Sequence, residues 1–137
     1  MIIVLDTNVI ASGILKPFSK AASILRLVAD GTIQLAYDLR LLSEYRDISS
    51  RSQFNFPRGD VDAFLAQVEE EGFLVSGRPL EIHLPDPDDE PFLEVALAGK
   101  VGALVTGNKR HFPMGRKHGG VKILSPNEFL ELLKERS

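Results

Sequence analysis

Apolar positions along this chain follow two periods, and the two alternate. Ile2 to Leu5 is an unbroken apolar run of the length expected for a buried central strand. Asp6-Thr7-Asn8 interrupts it, and helical spacing follows over Val9 to Leu15 until Pro17 stops it. Ser19 can cap a helix running to about Asp30, with Ala22, Leu25, Val28 and Ala29 on its stripe and Gly31 closing it. Ile33 to Tyr37 reads as a second strand. Arg40 to Ser50 reads as a helix with Leu41, Leu42, Tyr45 and Ile48 on its apolar face. Arg51 to Gly59 reads as a loop, and Gly59 to Glu71 as a helix built on Val61, Phe64, Leu65 and Val68. Phe73 to Val75 and Glu81 to Leu84 are short strands or merely extended chain. Pro85 to Asp89 is a turn into a helix over Glu90 to Ala98, and Ala103 to Thr106 and Val121 to Leu124 are two more buried strands. Ser125-Pro126-Asn127-Glu128 opens the last helix, combining capping-box spacing with proline at the first helical position.

Strands alternating with helices predict an α/β fold, a mainly parallel sheet covered on both faces. The 137 residues fit one domain, 1–137, without repeats or linkers. There is no cysteine, which excludes a disulfide framework, a thiolate zinc site and a cysteine nucleophile. The N-terminal run lacks the basic stretch of a signal peptide, and no apolar run approaches the roughly 20 residues that span a bilayer. The expected location is the cytoplasm, with no membrane partner.

The net charge is −3, but its distribution says more than its sum. Asp86, Asp88, Asp89, Glu90 and Glu94 fall within nine positions. From Gly107 to Asn127 there is no acid, while Lys109, Arg110, Arg116, Lys117 and Lys122 all lie there. An acidic knot followed by a basic arm suits a metal nuclease: carboxylates hold the cation, and positive charge meets the substrate backbone. Ordinary solvated surface charge gives the same pattern.

In open α/β sheets, function gathers beyond the carboxyl ends of the strands. Asp6 follows the first strand directly, and Thr106-Gly107-Asn108 follows a later one. Glu44 lies within or beside the apolar stripe of its helix, where an unpaired carboxylate is costly and must reach water or a cation. Asp89 begins the buried face carrying Phe92, Leu93 and Ala96, so it points inward; Asp88 is better placed as an N-cap. Asp86 is either a supporting carboxylate or a turn residue. Taken singly, each acid has a bland explanation in capping or solvation. Together, Asp6, Glu44 and Asp89 make an oxygen-only donor set that selects a hard cation, Mg²⁺ or Mn²⁺. Such a cation polarises phosphate oxygens, so phosphodiester hydrolysis is the matching reaction. Of the three histidines, His83 reads as a satisfied structural residue. His111 reads equally as a phosphate contact or a solvated loop side chain, and His118 carries no ligand spacing.

MIIVLDTNV at the start, LSEY over Leu42 to Tyr45, DPDDEPFLEVALA over Asp86 to Ala98 and LVTGNK over Leu104 to Lys109 resemble the successive motifs of PIN domains, in order and over nearly the whole chain. The closest likeness is to the branch labelled toxin components of prokaryotic toxin–antitoxin systems (VapC-like). That resemblance implies a three-layer Rossmann-like PIN fold and a Mg²⁺- or Mn²⁺-dependent endoribonuclease. Asp6, Asp89 and Glu44 would be its metal-binding acids, and Thr7, Asn8 and Thr106 would order the strand ends. It also implies a cognate antitoxin and a homodimer. Where many PIN domains carry a fourth acid, this chain has Asn108, which can offer a carbonyl oxygen but no charge. The basic residues Lys109, Arg110, Arg116 and Lys117 would meet RNA. A non-catalytic module binding RNA or protein is the alternative that Asn108 motivates. An aspartyl phosphotransferase of the haloacid dehalogenase type is a third, but its second aspartate is here Asn8.

Overall fold

The computed structural model describes residues 1–51, 58–113 and 117–136, without the side chains of Arg58 and Lys117. The chain runs β1 (Ile2–Leu5), α1 (Thr7–Leu15), α2 (Lys20–Ala29), β2 (Gln34–Tyr37), α3 (Leu39–Ser50) and α4 (Arg58–Glu71). It continues through β3 (Phe73–Leu74), α5 (Glu90–Ala98), β4 (Ala103–Val105), β5 (Lys117–His118), β6 (Val121–Leu124) and α6 (Pro126–Arg136). The sheet has the order β3-β2-β1-β4-β6-β5, parallel throughout except for β5, which pairs antiparallel with β6.

Most boundaries follow from local chemistry. Ser19 accepts a hydrogen bond from the Ala22 amide at 3.1 Å and starts α2. Gly31, at φ +84°, turns the chain out of that helix into β2, a conformation that costs glycine little. Asp38 caps α3 by accepting from the Leu41 amide at 3.0 Å. The α6 capping box closes as its spacing requires: the Glu128 amide donates to Ser125 Oγ at 3.1 Å, and the Ser125 amide donates to Glu128 Oε1 at 2.9 Å.

Three details differ from the sequence reading, and one alternative within it resolves. The first helix starts at Thr7 rather than Val9, because Asp6 is its N-cap and the Val9 amide already bonds the Asp6 carbonyl. Of the two readings of Glu81 to Leu84, the strand is not found; the Leu84 amide is taken by the Glu90 carboxylate at 3.0 Å instead of by a neighbouring strand. The two-residue strand β5 was not expected, since a hairpin arm that short has no period to detect. Arg51 to Gly59 is no loop at its end, where Arg58 already begins α4; residues 52–57 lie outside the described residues.

Helix α2 contacts both α4 and α6, while α5 lies on β1, β2 and β4. Right-handed crossovers explain the two layers: the chain moves one way from β1 to β3 and returns through α5 to β4, so α5 must cross on the opposite face. The direction reverses between β1 and β4, which opens a crevice beyond their carboxyl ends. Ile3, Val4, Leu5, Leu104 and Val105 are fully buried on either side of that reversal, giving the crevice a rigid floor.

Candidate functional site

Asp6 stands at the crevice. Its amide continues the β1–β4 ladder by donating to the Val105 carbonyl at 3.0 Å, so its backbone is locked. Its side chain is almost wholly buried, and Oδ2 accepts from the Thr106 hydroxyl at 2.8 Å. Burial pushes the Asp6 carboxyl up; the Thr106 hydroxyl and the amides of Asn8 and Thr7, with nearby His111, offset part of that rise. Asn8 holds the other lip, its Oδ1 accepting from the Gly107 amide at 3.3 Å. The Thr106 hydroxyl accepts from the Asn108 amide at 3.1 Å, so one side chain fixes both Asp6 and the loop after β4.

Asp89 comes from the far side of the crevice, at the end of a 3₁₀ turn over Pro87–Asp89 that runs into α5. It is buried, and burial, reinforced by Asp6, Asp86 and Asp88, raises its pKa against the lowering effect of His111. Glu44 approaches from α3. Its residue is exposed outwardly, yet desolvation lifts its carboxyl, and the charges of Asp6, Asp88 and Asp89 lift it further. Thr7 lies close enough to Glu44 to favour the ionised form, without closing a hydrogen bond of good geometry. Glu44 and Asp89 therefore both feel the charge of Asp6, and each of the three acids is harder to ionise than an isolated carboxyl.

The remaining acids divide by role. Asp86 is exposed and accepts from the Asp88 amide at 2.9 Å, so it, not Asp88, caps the turn. Asp88 is thereby left as an exposed charge at the rim, close enough to act on Glu44 and Asp89. Glu94 does not join the cluster; it is buried in an ion pair with Arg40 at 2.8 Å. Asn108 is engaged within its own loop: Oδ1 accepts from the Arg110 amide at 3.3 Å, and Nδ2 lies 3.0 Å from His111 Nε2. Among the basic residues, Lys109 is tied to Glu128 at 2.8 Å and Arg110 is exposed. Arg116 and the Lys117 side chain lie outside the described residues.

His111 is the site residue that sequence reasoning undervalued. A 3₁₀ turn over Lys109–His111 folds it back so that Nδ1 lies 3.0 Å from Asp89 Oδ2. The contact is an ion-pair distance without hydrogen-bond geometry, which leaves that buried oxygen with no hydrogen-bond donor. Its position three residues after Asn108 was the only available signal. Tyr45 was read as plain core. It is fully buried, but its hydroxyl donates to the Leu5 carbonyl, pinning α3 to the end of β1 one residue before Asp6. His83 is exposed beside Glu90 at 3.5 Å rather than satisfied in the core. A cavity of about 580 Å³ beside α5, lined by Arg78, Glu94, Lys100 and His118 among others, includes none of Asp6, Glu44 and Asp89.

With the acids placed at the switch point of a parallel sheet, one comparison with known proteins is decisive. The family model described as PIN domain matches residues 2–110. The chain belongs to the PIN domain family. That span contains every acid of the cluster together with Thr106, Asn108 and Arg110. No curated protein and no solved structure matches the chain. PIN domains are generally nucleases that use divalent metals.

The residues of this PIN domain fit such a cation in chemistry more than in finished geometry. Among the described residues, no three His, Asp or Glu side chains stand together so that they could hold a metal ion as a group. Mg²⁺ does not require such a group, since it commonly takes one or two carboxylates and keeps several waters. The Asp89 oxygen without a donor, and the burial that raises Asp6 and Asp89, are deficits a hard cation would relieve. Among the described residues no helix is long and apolar enough to cross a membrane.

Proposed function

We propose that this PIN domain is a Mg²⁺- or Mn²⁺-dependent endoribonuclease, the toxin half of a toxin–antitoxin pair, acting in the cytoplasm as a homodimer and restrained by a cognate antitoxin protein. The observation that carries the nuclease reading is the convergence of Asp6, Glu44 and Asp89 on one crevice, each made harder to ionise by burial, and Glu44 and Asp89 further by the charge of Asp6. A divalent cation bound there supplies charge neutralisation and polarises a phosphate oxygen. Asp6, Asp89 and Glu44 would hold it. Thr106 keeps Asp6 oriented through its 2.8 Å hydrogen bond, and Asn8 keeps the β4 loop closed on the same rim. Asn108 holds His111 against Asp89. Arg110, exposed at the mouth, is the described cation best placed to meet an RNA backbone.

The test is cleavage of a mixed RNA pool by the purified chain with Mg²⁺, Mn²⁺ or chelator, beside Asp6→Asn. Metal-dependent cutting that disappears in Asp6→Asn is expected. Undiminished cutting by Asp6→Asn and by Asp89→Asn would falsify the mechanism. A second reading, a PIN module that binds RNA or protein without cleaving, is favoured by Asn108, whose amide is engaged within its own loop. Robust Mg²⁺-dependent cleavage lost in Glu44→Gln rules that reading out; binding without cleavage under every metal puts it first.

A further inference from the structure

One charged cluster lies outside the acidic crevice, and its connections lead back to it. Arg40, at the start of α3, reaches two buried carboxylates at once. Its Nη2 lies 2.7 Å from Asp38 Oδ2 at the end of β2, its Nε donates to the same oxygen at 2.8 Å, and Nη1 meets Glu94 Oε1 on α5 at 2.8 Å. Asp38 and Glu94 are each almost entirely buried, whereas about half of the Arg40 side chain is open to solvent. Gly77 passes close over the group: a Cβ there would come within 2.6 Å of Arg40 Nη2, so a side chain at this position would push the guanidinium end aside. A planar, five-donor guanidinium can span two carboxylates in this way, and a lysine cannot.

The two helices it joins are those that carry the acids. Arg40 and Glu44 are four apart on α3, one above the other on a single face. Glu94 lies on α5, whose first turn follows directly from Asp89. Among the described residues, the Arg40–Glu94 pair is the ion pair linking α3 to α5. We infer that Arg40 is a positioning residue: by gripping Glu94 it sets the separation between Glu44 and Asp89, and with it the ability of the crevice to hold a divalent cation. This rests on the cation-binding reading proposed above.

Electrostatics alone and the clamp demand opposite signs, which makes the inference testable. Arg40 is a positive charge one helical turn from Glu44. If charge were its only effect, Arg40→Gln would tighten cation binding; loss of a clamp weakens it. The experiment is titration of Mn²⁺ into the full chain by calorimetry, with thermal unfolding recorded on each protein. Wild type, Arg40→Gln, Arg40→Lys, Glu94→Gln and a remote core control, Phe129→Leu on α6, are compared well below their unfolding midpoints. About tenfold weaker Mn²⁺ binding is expected in Arg40→Gln and Arg40→Lys, the lower edge of the 10–100-fold range for losing a group bonded directly to a metal ligand, because Arg40 acts one step removed, through Glu94. Glu94→Gln, which keeps an acceptor for Arg40, should retain most of the affinity, and Phe129→Leu all of it. Unchanged or tighter binding in Arg40→Gln overturns the clamp while leaving the cation site standing. A wild-type chain that binds no Mn²⁺ overturns the cation reading and the clamp together.

Discussion

Asp6 is almost wholly removed from water, and its carboxylate keeps one strong hydrogen bond, from Thr106. A buried charge with so few partners is a cost to the fold, accepted where a ligand is to bind. Asp6 and Asp89 were legible in the sequence because each sits at the end of an element that announces itself. Glu44 was legible because it interrupts an apolar stripe. His111 and the Arg40 group were not, since contacts such as Arg40 with Glu94, 54 positions apart, leave no local pattern. Tyr45 was hidden differently: a tyrosine on an apolar stripe looks like core, and only its hydroxyl's partner reveals that it braces β1. Removing that hydroxyl should therefore be felt. Tyr45→Phe is expected to cost about 1–2 kcal/mol, the range for losing a buried hydrogen bond to a carbonyl. Denaturant titration checks this; a midpoint within error of wild type at equal slope contradicts the bracing role.

Elements whose ends are written in side-chain chemistry were the ones read correctly. Ser19, Gly31 and the Ser125–Glu128 box all stand where the chain begins or ends a helix. The miss fell on a piece too short to carry a period, β5, and the stretch before Pro85 is ambiguous in sequence for the same reason. The α1 start was missed by two residues because its N-cap residue, Asp6, also belongs to the site. The α6 box can be tested by itself. Ser125→Ala should destabilise by about 1 kcal/mol, the usual cost of a lost serine cap, and Glu128→Gln by less because the backbone contact can persist. The Lys109–Glu128 pair stands on the surface and contributes little to either value. If Ser125→Ala unfolds at the wild-type denaturant midpoint, the box does not anchor α6.

For the molecule as a whole, the site and the rest of the charge pull stability in different pH windows. Asp6, Glu44 and Asp89 all have carboxyls raised on folding, chiefly by burial. Their contribution is full below the ordinary carboxylate range and is lost as pH rises through the raised values. Glu128 is held down to about 2, first by the hydrogen bond from Lys109; its contribution is present above 4.5 and lost as pH falls toward about 2. In chelator, the unfolding midpoint should thus climb as neutral solution is made mildly acid and fall again below the glutamate range. Asp6→Asn should flatten the first limb and raise stability at neutral pH. At neutral pH, Mn²⁺ at a hundredfold excess over its dissociation constant should add about 2.7 kcal/mol to wild-type stability, and leave Asp6→Asn unmoved. A midpoint that only declines on acidification would show that the acids are not strained at neutrality.

The bond between Thr106 and Asp6 spans 100 positions of chain. During synthesis, Asp6 leaves the ribosome first and waits for its partner. At roughly 5–20 residues per second, that wait is about 5–20 seconds, plus the time for the tunnel to clear. No amino-terminal fragment ending before β4 has the hydroxyl that aims Asp6, or the parallel strand that locks its backbone. A truncated or stalled product therefore lacks the ordered crevice, and the acid cluster is completed only once the chain has been made past β4.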